Sequence, residues 1–453
     1  MADVSEETTD AGEDILKSLG IDLSAPEAVE DEEDEILPQV KLPSVVLASP
    51  PHFEVPRTVL RRMVDQAMLV VPSGDFVPEL KNLVLDASDG RLVITGSNSG
   101  STVVSTSLAV RTLNPGRLLI GAAKFANVIK RASGPTVKLR TEDQLLHIDS
   151  GSSSWSLRIA GVQEYVRLAA LDELTWHSLS RADFTRAVSA VRYAAGSDEN
   201  DPGRMQLDIH NGIATTTDKT SFAQVRGMLP ANLTCELSTS AVDLLVKMLD
   251  RNDAQEFRLA DTRFHLVAEI GPVDAADRMI VAHNTESFPA EARTIIETPI
   301  AENRDEVIVN ADTLVEALDR AQPTSDEETL AVALKVGYPE PDELTVATRN
   351  RYGDLSSEQL TVTFRRLGSD SAPSPRTVLL NQKRLTEAVR ASALARSASN
   401  GSDEGVNVRL LLGTDRSRSR PAFVVVQDSL PEGEEAAGSV RAVLLQVRSD
   451  WIS

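Results

Sequence analysis

From Phe53 onward the chain repeats one arrangement of apolar and polar positions six times. Each copy opens with a short extended run, passes a small or capping residue, and continues with apolar residues at helical spacing. The copies begin at Phe53, Leu118, His177, Cys235, Val307 and Val378. Seven residues after each start stand Leu60, Phe125, Phe184, Val242, Leu314 and Leu385. Eleven residues after it stand Val64, Ile129, Val188, Val246, Leu318 and Val389. Residues four apart share one face of a helix, so every copy predicts an amphipathic helix with one buried stripe. The residue before each helix is Pro56, Gly121, Ser180, Ser238, Asn310 or Asn381, and the last four are good N-caps.

Behind each helix the period changes from helical to alternating, with turn signals between runs. Leu83, Leu85 and Ala87 alternate before Asp89-Gly90, and Leu207 and Ile209 precede Asn211-Gly212; both dipeptides signal hairpins. Each copy therefore reads as strand, helix, then three strands. Such a unit cannot bury both a helix stripe and a sheet face alone, so neighbouring units should pair. Two units per domain give an α+β protein of three similar domains, each of two β-α-β-β-β units: 53–172, 173–301 and 302–453. The joints fall at Leu171-Asp172-Glu173 and at 298–302. Polar stretches at 367–376, 397–405 and 428–438 read as surface loops of the third domain.

Charge changes the picture at the N-terminus. The 453 residues carry a formal net charge of −22, yet residues 1–50 hold 14 acids against Lys17 and Lys41. That segment, with the unbroken run Glu30, Asp31, Glu32, Glu33, Asp34, Glu35, is predicted to be an acidic disordered tail over 1–52. The remaining 403 residues carry only −10. With 41% hydrophobic residues, no apolar run of membrane-spanning length and no signal-like N-terminus, the sequence predicts a cytoplasmic protein that does not enter a membrane. Cys235 is the only cysteine, which excludes an internal disulfide or a thiolate metal cage.

The helices run against the overall charge. Over 57–69, 122–132, 180–195, 239–251, 311–322 and 381–396 the net charges are +2, +3, +2, 0, −2 and +3, a total of +8. The candidate phosphate-contacting residues are Arg57, Arg61, Arg62, Lys124, Lys130, Arg131, Arg186, Arg192, Lys247, Arg384 and Arg390. Gathered on one surface they would make a basic stripe on an acidic body, suited to backbone contacts that do not read base sequence. The fifth helix, with Asp312, Glu316 and Asp319, breaks the trend. Only 4% of residues are aromatic, too few for a base-stacking platform. The chain has no G-x-x-x-x-G-K-[ST], H-E-x-x-H or G-x-S-x-G motif, and its six histidines are scattered, so the expectation is a non-catalytic protein without metal or cofactor.

Several landmarks resemble the bacterial sliding clamp, the beta subunit of the replicative DNA polymerase. The stretch from Val77 (VPELKNLVLDASDGRLVITG) is similar to that family's first-domain signature. Thr217-Asp218 and Phe288-Pro289 match landmarks of its second domain, and Val443–Arg448 is like its C-terminal segment. The resemblance covers residues 53–449. It implies the DNA-clamp fold, helices lining a ring with sheets outside, and a head-to-tail homodimer that encircles duplex DNA as a processivity factor. It also implies a peptide cleft between the second and third domains, for DNA polymerase and clamp loader, around Thr217, Phe222, Pro289, Arg293, Leu445, Val447 and Arg448. The sequence departs from the family after Thr217-Asp218, where Gly-His-Arg-Leu is usual and Lys219, Thr220, Ser221 and Phe222 stand. It departs again at Gln446, usually proline, and at Pro323 and Thr324 behind the fifth helix. These departures also suit a divergent paralogue, or a clamp from a phage or plasmid; the alternative reading is a clamp-fold paralogue acting as a scaffold or regulatory protein without DNA encirclement.

Overall fold

The computed structural model describes residues 51–445 except 75–76, 89, 161–173, 285, 295–304, 338–339, 368–374, 401–405, 413–422 and 429–438. The acidic segment 1–50 and both expected joints lie outside the described residues. The six predicted helices are all present: α1 (Arg57–Ala67), α2 (Ala122–Arg131), α3 (Arg181–Val191), α4 (Thr239–Asp250), α5 (Ala311–Ala321) and α6 (Gln382–Asn400). Each starts one residue after the position singled out as its cap. Asn310 and Asn381 cap as expected, their side chains accepting from the Thr313 and Arg384 amides at 3.0 and 3.1 Å. The α6 helix runs through 397–400, where the sequence suggested a loop, because Ala395, Arg396 and Ala398 are good helix formers.

The stripe behaves as its spacing demands. Leu60, Phe125, Phe184, Val242, Leu314 and Leu385 are fully buried; Val64, Ile129, Val188, Leu318 and Val389 are buried too, and Val246 alone is half-buried. The hairpin signals also hold. Asn211 and Gly212, at φ 52° and 73°, are both left-handed, the backbone that a two-residue I′ turn needs between Gln206–His210 and Ile213–Thr217.

Sheet pairing explains why no repeat stands alone. The leading strand of each repeat pairs with the first strand behind its neighbour's helix. His52–Pro56 pairs with Thr136–Glu142, and Gly116–Gly121 with Asn82–Ser88. The same exchange joins His177–Ser180 to Glu256–Asp261, Cys235–Ser238 to Gln206–His210, Asp305–Asn310 to Asn407–Leu412, and Arg376–Asn381 to Ala331–Val336. All pairings are antiparallel.

The chain divides into two compact units. One holds the described residues up to Ala182 together with Ser240–His283. Its 13-stranded sheet joins the first repeat to the fourth through Ser101–Ser107 and Asp277–Ala282. Its core packs α1 and α2 against strand residues such as Phe53, Leu83, Leu85, Leu139 and Ile148. The other unit holds Asp183–Thr239 and the described residues from Asn284 on. Its nine-stranded sheet joins the third repeat to the sixth through Ser221–Val225 and Val440–Leu445, and a four-stranded sheet ends at the one-sided edge strand Leu355–Thr361. Its core packs α5 and α6 against Val307, Leu334, Leu380, Leu410 and Val426. Among the described residues no helix is long and apolar enough to cross a membrane.

Candidate nucleic-acid interface and peptide cleft

The α2 helix presents the plainest cationic face. With Ala122, Phe125 and Ile129 buried, the helix turns Ala123, Lys124, Asn127, Lys130 and Arg131 to solvent. It carries no acid, and these three cations make no ion pair among the described residues. Lys130 and Arg131 occupy the last turn, where positive charge also complements the helix dipole. Arg57 adds a further cation at that end, its Nη1 donating to the Ala132 carbonyl at 3.0 Å.

Several other candidates from the sequence are held by partners. Arg61 is exposed and 3.7 Å from Asp65 on its own helix. Arg186 pairs with Asp183 at 3.1 Å, and Arg390 with Asp319 at 2.9 Å. Arg192 is half-buried, while Lys247 is exposed on α4 between the exposed acids Asp243 and Asp250.

Arg62 and Arg384 do something the sequence did not announce. Asp277 is fully buried at the seam of the 13-stranded sheet, facing Ser105 across the pairing. It accepts from Arg62 of α1, from Ser105 Oγ and from Asn252 Nδ2 at 2.9 Å, with Gln66 Nε2 at 3.5 Å. A carboxylate without water needs this surround. In the other unit Arg384 of α6 donates to Asp218 and to the Tyr193 carbonyl beside the seam of the nine-stranded sheet. Asp218 also accepts from the amides of Thr220 and Ser221 at 3.0 and 2.7 Å. At both seams an arginine from a helix of one repeat is captured by a group from another.

The peptide-cleft residues that are described gather in the second unit. Thr217 and Phe222 face each other across a hairpin, and Phe222 also faces Val443. Phe222 is only 4% exposed, packed with Phe288, Ala292, Leu411, Val425 and Val443. Leu411, Val425 and Val443 extend this apolar cluster beyond the residues inferred from sequence. Their neighbours Leu410, Leu412, Val424, Val426, Ala442 and Leu444 fill the core on the opposite face. The available signal was the unbroken apolar runs at 410–412 and 424–426, since strands buried on both faces lose their alternation. Pro289 is half-buried and leads into a short 3-10 turn, Ala290–Arg293. Arg293 grips buried Asp208 through two 2.8 Å bonds, with Glu236 at 3.6 Å, and the Asp208 hydrogen bonds push its pKa up. Leu445 ends the strand Val440–Leu445, while Val447 and Arg448 lie outside the described residues. Lys219 stands in the left-handed region at φ 76°, a conformation glycine adopts without penalty, and pairs with Asp201 at 3.1 Å.

Paired repeats, with leading strands exchanged between neighbours in continuous sheets, define the DNA-clamp fold. Comparison with known proteins agrees. Residues 51–169 match the family described as "DNA polymerase III beta subunit, N-terminal domain". The chain is 24% identical over 220 residues to the beta sliding clamp of Halalkalibacterium halodurans, covering 45% of this chain and 58% of that protein. It is 26% identical over 175 residues to the beta sliding clamp of Streptomyces coelicolor, covering 38% and 46%. The aligned part thus spans about half the length of these relatives. A solved sliding clamp of Bartonella birtlesii superposes with a TM-score of 0.73 at 18% identity, over 88% of this chain and 100% of that one. The chain is similar in sequence to the bacterial sliding clamps and carries their fold.

Proposed function

We propose that the chain is a sliding clamp: three domains, 53–172, 173–301 and 302–453, that dimerise head to tail around duplex DNA and tether a DNA polymerase. The observation that carries the reading is the acid-free cationic face of α2 on a clamp fold. A ring holds DNA by topology, so its contacts need only be weak and blind to sequence, and a few lysines and arginines suffice. The role is non-catalytic, needs no cofactor and places the protein in the cytoplasm with the chromosome. The edge strand Leu355–Thr361, paired on one side only among the described residues, offers a place for a second copy to continue the sheet.

Partners would enter by the apolar cluster around Phe222, near Thr217 and Pro289; the resemblance adds Leu445, Val447 and Arg448 to that cleft. Arg293 serves there by fixing the turn that carries Ala292, since Asp208 already occupies its guanidinium. Phe222→Leu opens room for a peptide anchor, and Phe222→Asp puts a charge among apolar groups. Calorimetry with a Gln-Leu-x-Leu-Phe peptide should find tighter binding to the first variant and none to the second; equal affinities would locate the pocket elsewhere.

One observation favours a second reading, a clamp-fold scaffold that does not encircle DNA. Arg62 and Arg384 are committed to holding the protein together, and α5 is acidic. Light scattering with sizing chromatography, followed by retention on nicked circular against linearised duplex, separates the two. A dimer retained on circles and lost from linear ends supports the clamp; a monomer with equal retention on both overturns it.

A further inference from the structure

We propose that the acidic run Glu30–Glu35 docks in the same chain on the cationic face of α2, as a built-in competitor for polyanions. The docking stands on its own; the competition rests on the DNA-clamp reading. Six consecutive carboxylates are a short polyanion, and Lys124, Lys130 and Arg131 are exposed cations without an acidic neighbour on their helix. The cations on the two strands that flank the first strand are already matched. Arg111 and Lys138 lie 3.8 and 3.5 Å from Glu54, and Arg140 lies 3.2 Å from Glu142. On α4 the exposed acids Asp243 and Asp250 flank Lys247, and α5 would repel the run outright.

Reach is sufficient. The first strand, His52–Pro56, ends beside α2: Pro56 pairs with Thr136, the Arg57 amide donates to the Pro135 carbonyl at 2.9 Å, and Arg57 Nη1 holds Ala132. From His52 to the far end of α2 is about 17 Å of strand and about 15 Å of helix. The residues 36–50 can extend to about 50 Å, so the run can return to Lys124 with slack. A tether of that length gives a local concentration on the order of millimolar, far above any free DNA segment. The contact is between exposed charges, so it should fade as the Debye length falls from about 10 Å at 0.1 M salt.

The test uses the full chain. Zero-length carbodiimide cross-linking at 50 mM salt should join carboxylates 30–35 to Lys124 and Lys130, and 500 mM salt should abolish those links. Their absence at low salt, or equal yields at exposed Lys247 and Lys383, overturns the docking. Neutralising the run (E30Q, D31N, E32Q, E33Q, D34N, E35Q) should then tighten binding of a 30-base-pair duplex about tenfold at 50 mM salt and leave it unchanged at 300 mM. The gain should vanish when Lys124, Lys130 and Arg131 are all Ala. Unaltered duplex affinity in the neutralised chain overturns the competition. Cross-links in a protein that is retained on neither nicked circular nor linear duplex uphold the docking and overturn the DNA-clamp reading instead.

Discussion

The α2 and α5 helices follow the same buried pattern and present opposite charge to solvent. Phe125 and Ile129 on one, Leu314 and Leu318 on the other, are all buried at the same two positions of the repeat. Outward, α2 shows Lys124, Lys130 and Arg131, whereas α5 shows Asp312, Glu316 and Asp319, with Arg320 bound by Glu316 and Glu358 at 3.3 and 2.6 Å. Burial constrains one face of a helix to be apolar and leaves the other to answer to whatever lies beyond the protein. A charge total for a helix therefore says little until each charge is either matched to a partner or found without one.

The largest expected effect tests that distinction at Arg62, a helix cation that belongs to the fold. Arg62→Ala strands Asp277 at the sheet seam and should cost about 3 kcal/mol of stability, read in urea unfolding. A loss within about 0.5 kcal/mol would return Arg62 to the solvent-facing set. Next, replacing Lys124, Lys130 and Arg131 together with Ala should leave stability almost unchanged. It should weaken duplex binding and flatten the slope of log affinity against log salt by about 3, as expected for three phosphate contacts. An unaltered slope would take α2 out of the interface.

A smaller effect separates two kinds of acid near α5. Asp326 accepts from the Thr329 and Glu328 amides and from Arg351, which together hold its pKa down at about 2. A carboxyl depressed on folding stabilises above its unfolded pKa of about 4, and that contribution is lost as pH falls toward about 2. Asp326→Asn should therefore remove part of the acid-induced loss between those values; a pH profile identical to the parent's would refute the assignment. The smallest effect is electrostatic: Asp312→Lys should raise duplex affinity less than threefold at low salt and lower the melting temperature slightly, since a cation replaces an exposed acid at the first turn of α5. A larger gain would mean that the acidic face opposes DNA directly.

Much of the fold was legible because it is repeated. Six independent copies make an i, i+4 stripe hard to mistake, and the Asn-Gly turn needs only local backbone chemistry. The surroundings of Phe222 were legible only in part: Leu411 and Val425, which pack in one cluster with it, sit in strands that look like ordinary core until a second apolar layer is seen against their other face. Likewise Arg62 and Lys130 look alike along the chain, as basic residues on helices with a buried stripe.

The sequence alone determined the six strand-helix-strand units, where each helix starts, which face of it is buried, and that the negative charge is concentrated in the first 50 residues. Those properties depend on spacing and on side chains within one or two turns of each other. Tertiary structure alone decided that leading strands exchange between neighbouring repeats, and that Asp277 and Asp218 capture Arg62 and Arg384 at the seams. The partners there are 215 and 166 residues apart. No local pattern encodes which distant carboxylate a given arginine will meet, because the meeting is set by how whole sheets pair.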